Sequence, residues 1–276
     1  MANRSSSQSV HGVADRATNS DAFEYIARAG FAASGVLHLL IGYIILQLAL
    51  TGAGGNADQS GALATLGSQT GGKVMLWAAA AGLVALGLWR IAEAVVGSRP
   101  GERSGTDDDN PAWKRARSLG VAVANFAIAL SAAQFAMGSG QSSGQQNAGM
   151  SAQLMQSGWG KAVLIVVGLA VVAVGGYHIY KGVTKKFLDD LRVSGGTAIV
   201  ATGITGFVAK GLVLAGAGLL VIIATLQADP AKASGLDAAI KTLGQAPFGK
   251  FLLIAAALGI AAFGVYSFIR SRFGRM

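Results

Sequence analysis

From Gly72 to Glu93 the chain opens with Gly-Lys-Val-Met-Leu-Trp and closes with Gly-Leu-Trp-Arg-Ile-Ala-Glu, with only apolar and small residues between. The pattern occurs three times. Gly72-Lys73 returns as Gly160-Lys161 and Gly249-Lys250, at offsets of 88 and 177 residues. The same offsets carry Gly87 onto Gly175 and Gly264, Trp89 onto Tyr177 and Tyr266, and Glu93 onto Lys181 and Arg270. About 20 helical residues rising about 1.5 Å each cover about 30 Å, the thickness of a bilayer's hydrocarbon core. Each copy therefore reads as one membrane span.

Composition agrees. With 52% hydrophobic and 13% charged residues and a mean hydropathy of +0.51, the chain is too apolar for an ordinary water-soluble domain. Its 40 glycines lie mostly inside apolar runs, where glycine lets helices approach closely, so they read as packing residues first. Cysteine is absent, which excludes disulfide frames and thiolate chemistry. The first twenty residues lack the apolar core of a cleavable signal peptide, so the first span is expected to direct insertion.

Six windows of spanning length follow: Ala29 to Leu50, Val74 to Val96, Leu119 to Met137, Ala162 to Tyr180, Phe207 to Leu226 and Phe251 to Ile269. An even number puts both termini on one side. That side carries 16 of the Lys and Arg residues against 5 on the other, with Lys210 inside a span, so the positive-inside rule makes the termini cytoplasmic. The net charge of +9 reads as topology and attraction to anionic lipid; no nucleic-acid partner is implied. The expected fold is all-α and integral to the membrane, with six transmembrane helices as three tandem two-helix repeats in a pseudo-threefold bundle. The expected divisions are a disordered cytoplasmic tail at 1–20, unit one at 21–97, a linker at 98–110, unit two at 111–187, a linker at 188–198 and unit three at 199–276. The repeat reads as a helical hairpin. Each outer loop carries a short helix just before its Gly-Lys, at Ala62 to Leu66, Ser151 to Met155 and Leu236 to Leu243. Asp107 to Asp109, in the first linker, read as solvated charge rather than as a cation site.

The Ala-Arg-Ala-Gly-Phe at Ala27 to Phe31, the Gly-Lys openings and the Gly-Leu-Trp-Arg-Ile-Ala-Glu-Ala close at Gly87 to Ala94 resemble the bacterial membrane family called domain of unknown function 1206. The resemblance covers nearly the whole chain. It implies the three-unit architecture and a bacterial inner-membrane setting, and brings no activity. Members of that family usually carry an arginine one turn after the first glycine; here the position holds Ser34 in unit one, Ala124 in unit two and Lys210 in unit three.

Two intramembrane residues stand out as a candidate polar site. His38 is central in the first span, on a face with Gly30, Ser34 and Gly42; it reads either as a functional ionisable group or as a neutral ring hydrogen-bonded within the bundle. Lys210 lies one turn inside the fifth span, where it either snorkels to the interface or serves a buried binding role. Lys73, Lys161 and Lys250 are the candidate anion or lipid-headgroup contacts. Each sits at a helix N-terminus, where a cation opposes the macrodipole. Either each ammonium reaches lipid phosphates and fixes helix depth, or the three converge on the axis and hold an anion.

Motifs for metalloprotease, phosphate-loop or serine-nucleophile chemistry are missing, and no catalytic residue, cofactor or metal is expected. The leading expectation is a non-enzymatic packing or partner-binding component. Its partners are the lipid bilayer, with anionic lipid or another membrane protein as candidate ligands. The alternative is a small transporter or channel with an anion-attracting outer mouth. Trp89, Tyr177 and Tyr266 are expected to form an aromatic belt at one depth.

Overall fold

The computed structural model describes residues 21–96, 111–193 and 196–275. The expected tail at 1–20, the linker at 98–110 with Asp107 to Asp109, and the side chains of Trp89 and Glu93 lie outside the described residues. Nine α-helices are described: α1 (Asp21–Thr51), α2 (Gln59–Ser68), α3 (Gly72–Val96), α4 (Pro111–Met137), α5 (Ser143–Met155), α6 (Gly158–Val183), α7 (Thr197–Gln227), α8 (Leu236–Gln245) and α9 (Gly249–Phe273). Two 3-10 turns, Lys186–Asp190 and Lys232–Ser234, join them, and no β-strand is present among the described residues. Helices α1, α4, α6, α7 and α9 are long and apolar enough to cross a membrane; the described apolar part of α3 is shorter, Gly72–Leu88.

Short helices α2, α5 and α8 cover the three outer-loop positions read from sequence, and each extends beyond the predicted core. Capping accounts for two of the extensions: the Asp58 carboxylate accepts from Gly61 N at 3.0 Å, and the Ser142 hydroxyl accepts from Gln145 N at 3.5 Å. The glycine of each Gly-Lys pair then has a steric reason. A Cβ on Gly72, Gly160 or Gly249 would collide with the carbonyl oxygen of Leu66, Leu154 or Gly244, where the short helix folds back onto the span. The chain reverses just before two of these glycines through left-handed residues, Gly71 (φ +78) and Phe248 (φ +61).

The intimate helix pairs differ from the expected hairpins. Close antiparallel packing joins the second span of one unit to the first span of the next: α3 with α4, α6 with α7 and, closing the ring, α9 with α1. The even-numbered spans carry small residues every seventh position, Ala80, Gly87 and Ala94 on α3, Gly168, Gly175 and Gly182 on α6, and Ala257, Gly264 and Ser271 on α9. A seven-residue step keeps one seam facing one neighbour. Small residues on that seam let backbones touch, which is how helices associate when lipid removes the hydrophobic drive. A Cβ on Gly175 would lie 2.6 Å from Gly211 O and from Ala215 N, and one on Gly264 would lie 3.0 Å from Gly35 O. At the foot of the closing pair, the Ser271 hydroxyl donates to Arg28 O at 2.7 Å. The α3–α4 pair is looser, with the Phe126 ring laid across Gly87 and Ala122, Ala129 and Ala136 buried along α4.

Inside units one and two the two spans make little direct contact, but in unit three α7 and α9 also pack closely, a Cβ on Gly206 lying 2.6 Å from Phe263 Cα. One cluster joins Ile41, Ile44 and Ile45 of α1 to Ile240 of α8 and Leu253, Ala257 and Ile260 of α9. A second joins Leu63 of α2, Leu76 and Ala80 of α3, and Ala132 and Ala136 of α4. Leu37 packs against both.

The loops at the end bearing the short helices, the cap end, form a polar ring. Ser143 N donates to the Ser60 hydroxyl at 3.1 Å, tying unit two to unit one. Asn147 Nδ2 donates to Ser234 O at 3.1 Å and the Ser151 hydroxyl to Ala233 O at 3.3 Å, tying unit two to unit three. Ala57 N donates to Asp237 Oδ1 at 2.8 Å, returning to unit one. Asp58, Ser60, Ser151 and Asp237 are all buried. Buried polar groups are tolerated because they are paired, and here the pairs run between units around the whole circle.

Candidate functional site

At the opposite end, which carries the second linker and the C-terminus, the chain after α6 is described as far as Val193. After α6 the chain turns at Lys185 (φ 59) into the 3-10 turn at Lys186–Asp190 and passes beneath α7 and α9. Leu191 pairs with Gly274 as an isolated antiparallel bridge, Arg192 N donates to Phe273 O at 2.8 Å, and Arg275 N donates to Asp190 O at 2.9 Å. Phe187, on this strap, is fully buried against Phe207 and Tyr266, with ring centroids 5.5 and 5.3 Å away. The Tyr266 hydroxyl donates to Phe187 O at 2.8 Å.

This alters the expected aromatic belt. Tyr177 is exposed on α6, whereas its repeat partner Tyr266 is 1% exposed. The strap gives Tyr266 a buried carbonyl to bind, so the two equivalent tyrosines do different jobs; the Trp89 side chain lies outside the described residues.

Above the strap lies a cavity of about 170 Å³, lined by Phe31 and Ser34 of α1, Tyr177, His178 and Lys181 of α6, Phe207 and Lys210 of α7, and Phe263, Tyr266, Ser267 and Arg270 of α9. Three cations surround it, each over an aromatic face. Lys210 Nζ is 3.9 Å from the Phe263 centroid, Lys181 Nζ is 5.6 Å from that of Phe207, and the Arg270 guanidinium is 4.3 Å from that of Phe31. Two of these contacts are copies of one another. Lys181 and Arg270 are repeat equivalents, and so are Phe207 and Phe31, so the same cation–aromatic pair is built where α6 meets α7 and where α9 meets α1. The Asp190 carboxylate then draws both cations together, accepting from Lys181 at 2.7 Å and lying 3.4 Å from Arg270.

Lys210 has no carboxylate within ion-pair range among the described residues. It is half-buried and reaches into the cavity between α7 and α9 instead of out to lipid. A cation–aromatic contact is worth about 0.5–2 kcal/mol, whereas a lysine toward the middle of a membrane costs up to about 3.5 kcal/mol, so Phe263 alone does not offset it. His38 flanks the same ring, with centroids 4.7 Å apart. Its Nδ1 lies 2.7 Å from Ser34 O, and because a carbonyl oxygen only accepts, Nδ1 carries the proton. His178 makes the same bond to Val174 O at 2.9 Å. The two candidate intramembrane residues thus meet on Phe263.

The three cap-end lysines do not converge in a cavity. Lys73, Lys161 and Lys250 are exposed, each one position round the helix from its buried glycine, next to exposed apolar residues such as Val74, Trp159 and Phe251. None lines the 170 Å³ cavity or the 120 Å³ cavity at the cap end, which is bounded by Gln59, Ser60, Leu63, Ala127, Ile128, Ser131 and Ser143. The remaining cap-end lysines are paired: Lys241 with Asp237 at 2.7 Å, and Lys232 with Asp229 at 3.2 Å, which holds the Asp229 carboxyl below its usual range. Sequence reasoning had placed Lys181 and Arg270 only as repeat equivalents, and it passed over Asp190; the sole local signal was the acidic pair Asp189–Asp190 within an otherwise basic linker.

Three successive segments, 29–97, 117–185 and 205–274, match the profile described as Domain of Unknown Function (DUF1206). The chain belongs to the DUF1206 family. The equal spacing of the three DUF1206 segments sets Ala122, rather than Ala124, opposite Ser34 and Lys210. A relative, Uncharacterized protein YxxB of Bacillus subtilis (strain 168), is 26% identical over 261 residues, covering 90% of each chain. No solved structure matches. The chain is an all-helical multi-pass membrane protein of three repeats, with five described helices long and apolar enough to cross a membrane.

Proposed function

We propose that the protein is a non-enzymatic multi-pass component of the bacterial inner membrane that acts by binding: its cap end is closed, and its cationic cavity faces the cytoplasm together with both termini. The observation that carries this reading is the polar ring at the cap end, where buried Asp58, Ser60, Ser151 and Asp237 tie all three units into one circle. A conduit along the bundle would need a continuous polar lining, whereas Leu37 packs against both apolar clusters beneath this ring. The excess of Lys and Arg at the linker end supports the orientation. The bilayer is the constant partner, and anionic lipid or another membrane protein are the proposed ligands.

Two measurements test the reading. A cysteine at Gln141, exposed at the cap end, is expected to react with an impermeant thiol reagent added to intact cells, and one at Asp189, exposed on the strap, is expected to react only after the membrane is opened. The opposite labelling pattern reverses the orientation. Vesicles containing the purified protein are expected to hold chloride and potassium gradients as well as protein-free vesicles do; a sustained protein-dependent leak of either ion replaces the binding reading with the transporter or channel.

A further inference from the structure

We infer that the linker-end cavity is a site for a phosphate-bearing anion, with Lys210 as its principal contact and Lys181 and Arg270 beside it. The inference names a ligand class for the cavity and does not depend on whether the bundle conducts, so its failure and the failure of the closed-bundle reading are separable.

Charge makes the first argument. Lys210, Lys181 and Arg270 line one cavity, and among the described residues the one carboxylate that reaches this group, Asp190, is shared by Lys181 and Arg270. Lys210 is left with only the face of Phe263. A cation held inside a span without a counter-charge marks a ligand site by default. Size makes the second argument. A cavity of about 170 Å³ is below the range of about 300–1,000 Å³ typical of pockets for drug-sized molecules, and suits one compact polyoxygen group. The donors make the third. Arg270 offers a planar fork and the two lysines offer rotating point donors, a combination that matches several oxygens arranged about one centre better than a single flat carboxylate. Aromatic faces behind the cations exclude water from the far side and hold the long side chains in place. The phosphate group can belong to a free anion or to the headgroup of an anionic lipid.

The experiment follows thermal unfolding of the whole purified protein in detergent micelles. One arm adds inorganic phosphate, compared with chloride at equal ionic strength; the other adds phosphatidic acid, compared with phosphatidylcholine. The unfolding midpoint is expected to rise with the phosphate-bearing member of at least one pair, as selective binding to the folded state requires. A response to inorganic phosphate assigns the site to a free anion, and a response to phosphatidic acid alone assigns it to a headgroup. Lys210→Met is expected to raise the half-saturating concentration about tenfold or more, and Lys210→Arg to change it by no more than about threefold. Asp190→Asn, which releases Lys181 and Arg270, is expected to lower it by about threefold, a change of sign that a merely structural role for the cluster does not produce. Gln141→Ala, exposed at the opposite end, should leave it unchanged. The proposal is overturned if neither phosphate nor phosphatidic acid shifts the midpoint beyond its control, or if the shift persists undiminished in Lys210→Met.

Discussion

Gly175→Leu is expected to destroy the stable fold, while Gly176→Leu, one residue along the same span, leaves it nearly intact. A Cβ at position 175 would sit 2.6 Å from Gly211 O and from Ala215 N, both backbone atoms of α7, so no side-chain rotation relieves it. The helices must separate, and with them goes the contact of Gly168 with Gly218 and of Gly182 with Phe207 along the same seam. Inserting bulk into packed interiors costs about 1–3 kcal/mol where side chains can shift, and backbone on both sides places this case at or above the upper end. Gly176 faces the exposed side, and a Cβ there meets nothing within 4 Å. Size-exclusion profiles and unfolding midpoints of the two variants in one detergent decide the matter. Equal damage from both would mean that the seven-residue seam is not what holds α6 to α7.

The second large effect is expected at the cap end. Asp237→Ala removes the acceptor for Ala57 N at 2.8 Å and for Lys241 Nζ at 2.7 Å. Ala57 is fully buried, so its amide is left without a partner, a cost of about 1–3 kcal/mol, and loss of the charge-assisted character of the bond deepens it. The variant is expected to unfold at a distinctly lower temperature and to lose hydrogen-exchange protection at the Ala57 amide. Asp237→Asn keeps an oxygen for that amide and should lose less. Lys241→Gln breaks only the half-exposed ion pair and is expected to cost no more than about 1 kcal/mol. If Asp237→Ala and Lys241→Gln behave alike, the link between units three and one is not structural and the ring does not close through it.

Each of these tests rests on a feature that the repeat copied unevenly. The small-residue seam is present in all three even-numbered spans, but the cation–aromatic pair is built only twice. Glu93 stands where Lys181 and Arg270 stand in the other units, so the cationic cavity belongs to the α1, α6, α7 and α9 side of the bundle. Divergence of one unit leaves the cation–aromatic pair at two of the inter-unit contacts, α6 with α7 and α9 with α1.

The all-helical, three-repeat architecture and the positions of the three cap helices were legible in the sequence, because they depend on local quantities: hydropathy along the chain and residue identity at a fixed offset. Of the six expected spans, five are described as long and apolar enough to cross a membrane. The Gly-Lys recurrence was legible too, but the packing role of its glycines was not. The lysines are exposed, and it is the glycines that meet the carbonyls of Leu66, Leu154 and Gly244. Sequence could not say which spans pair, since small residues every seventh position show that a helix has a close neighbour without naming it. Nor could it gather Lys181, Lys210, Arg270 and Asp190 into one site, because their meeting requires α9 to close against α1 and the strap at Lys186–Asp190 to turn beneath α7. Those two arrangements are long-range packing choices, and no local pattern encodes a distance between residues so far apart in the chain.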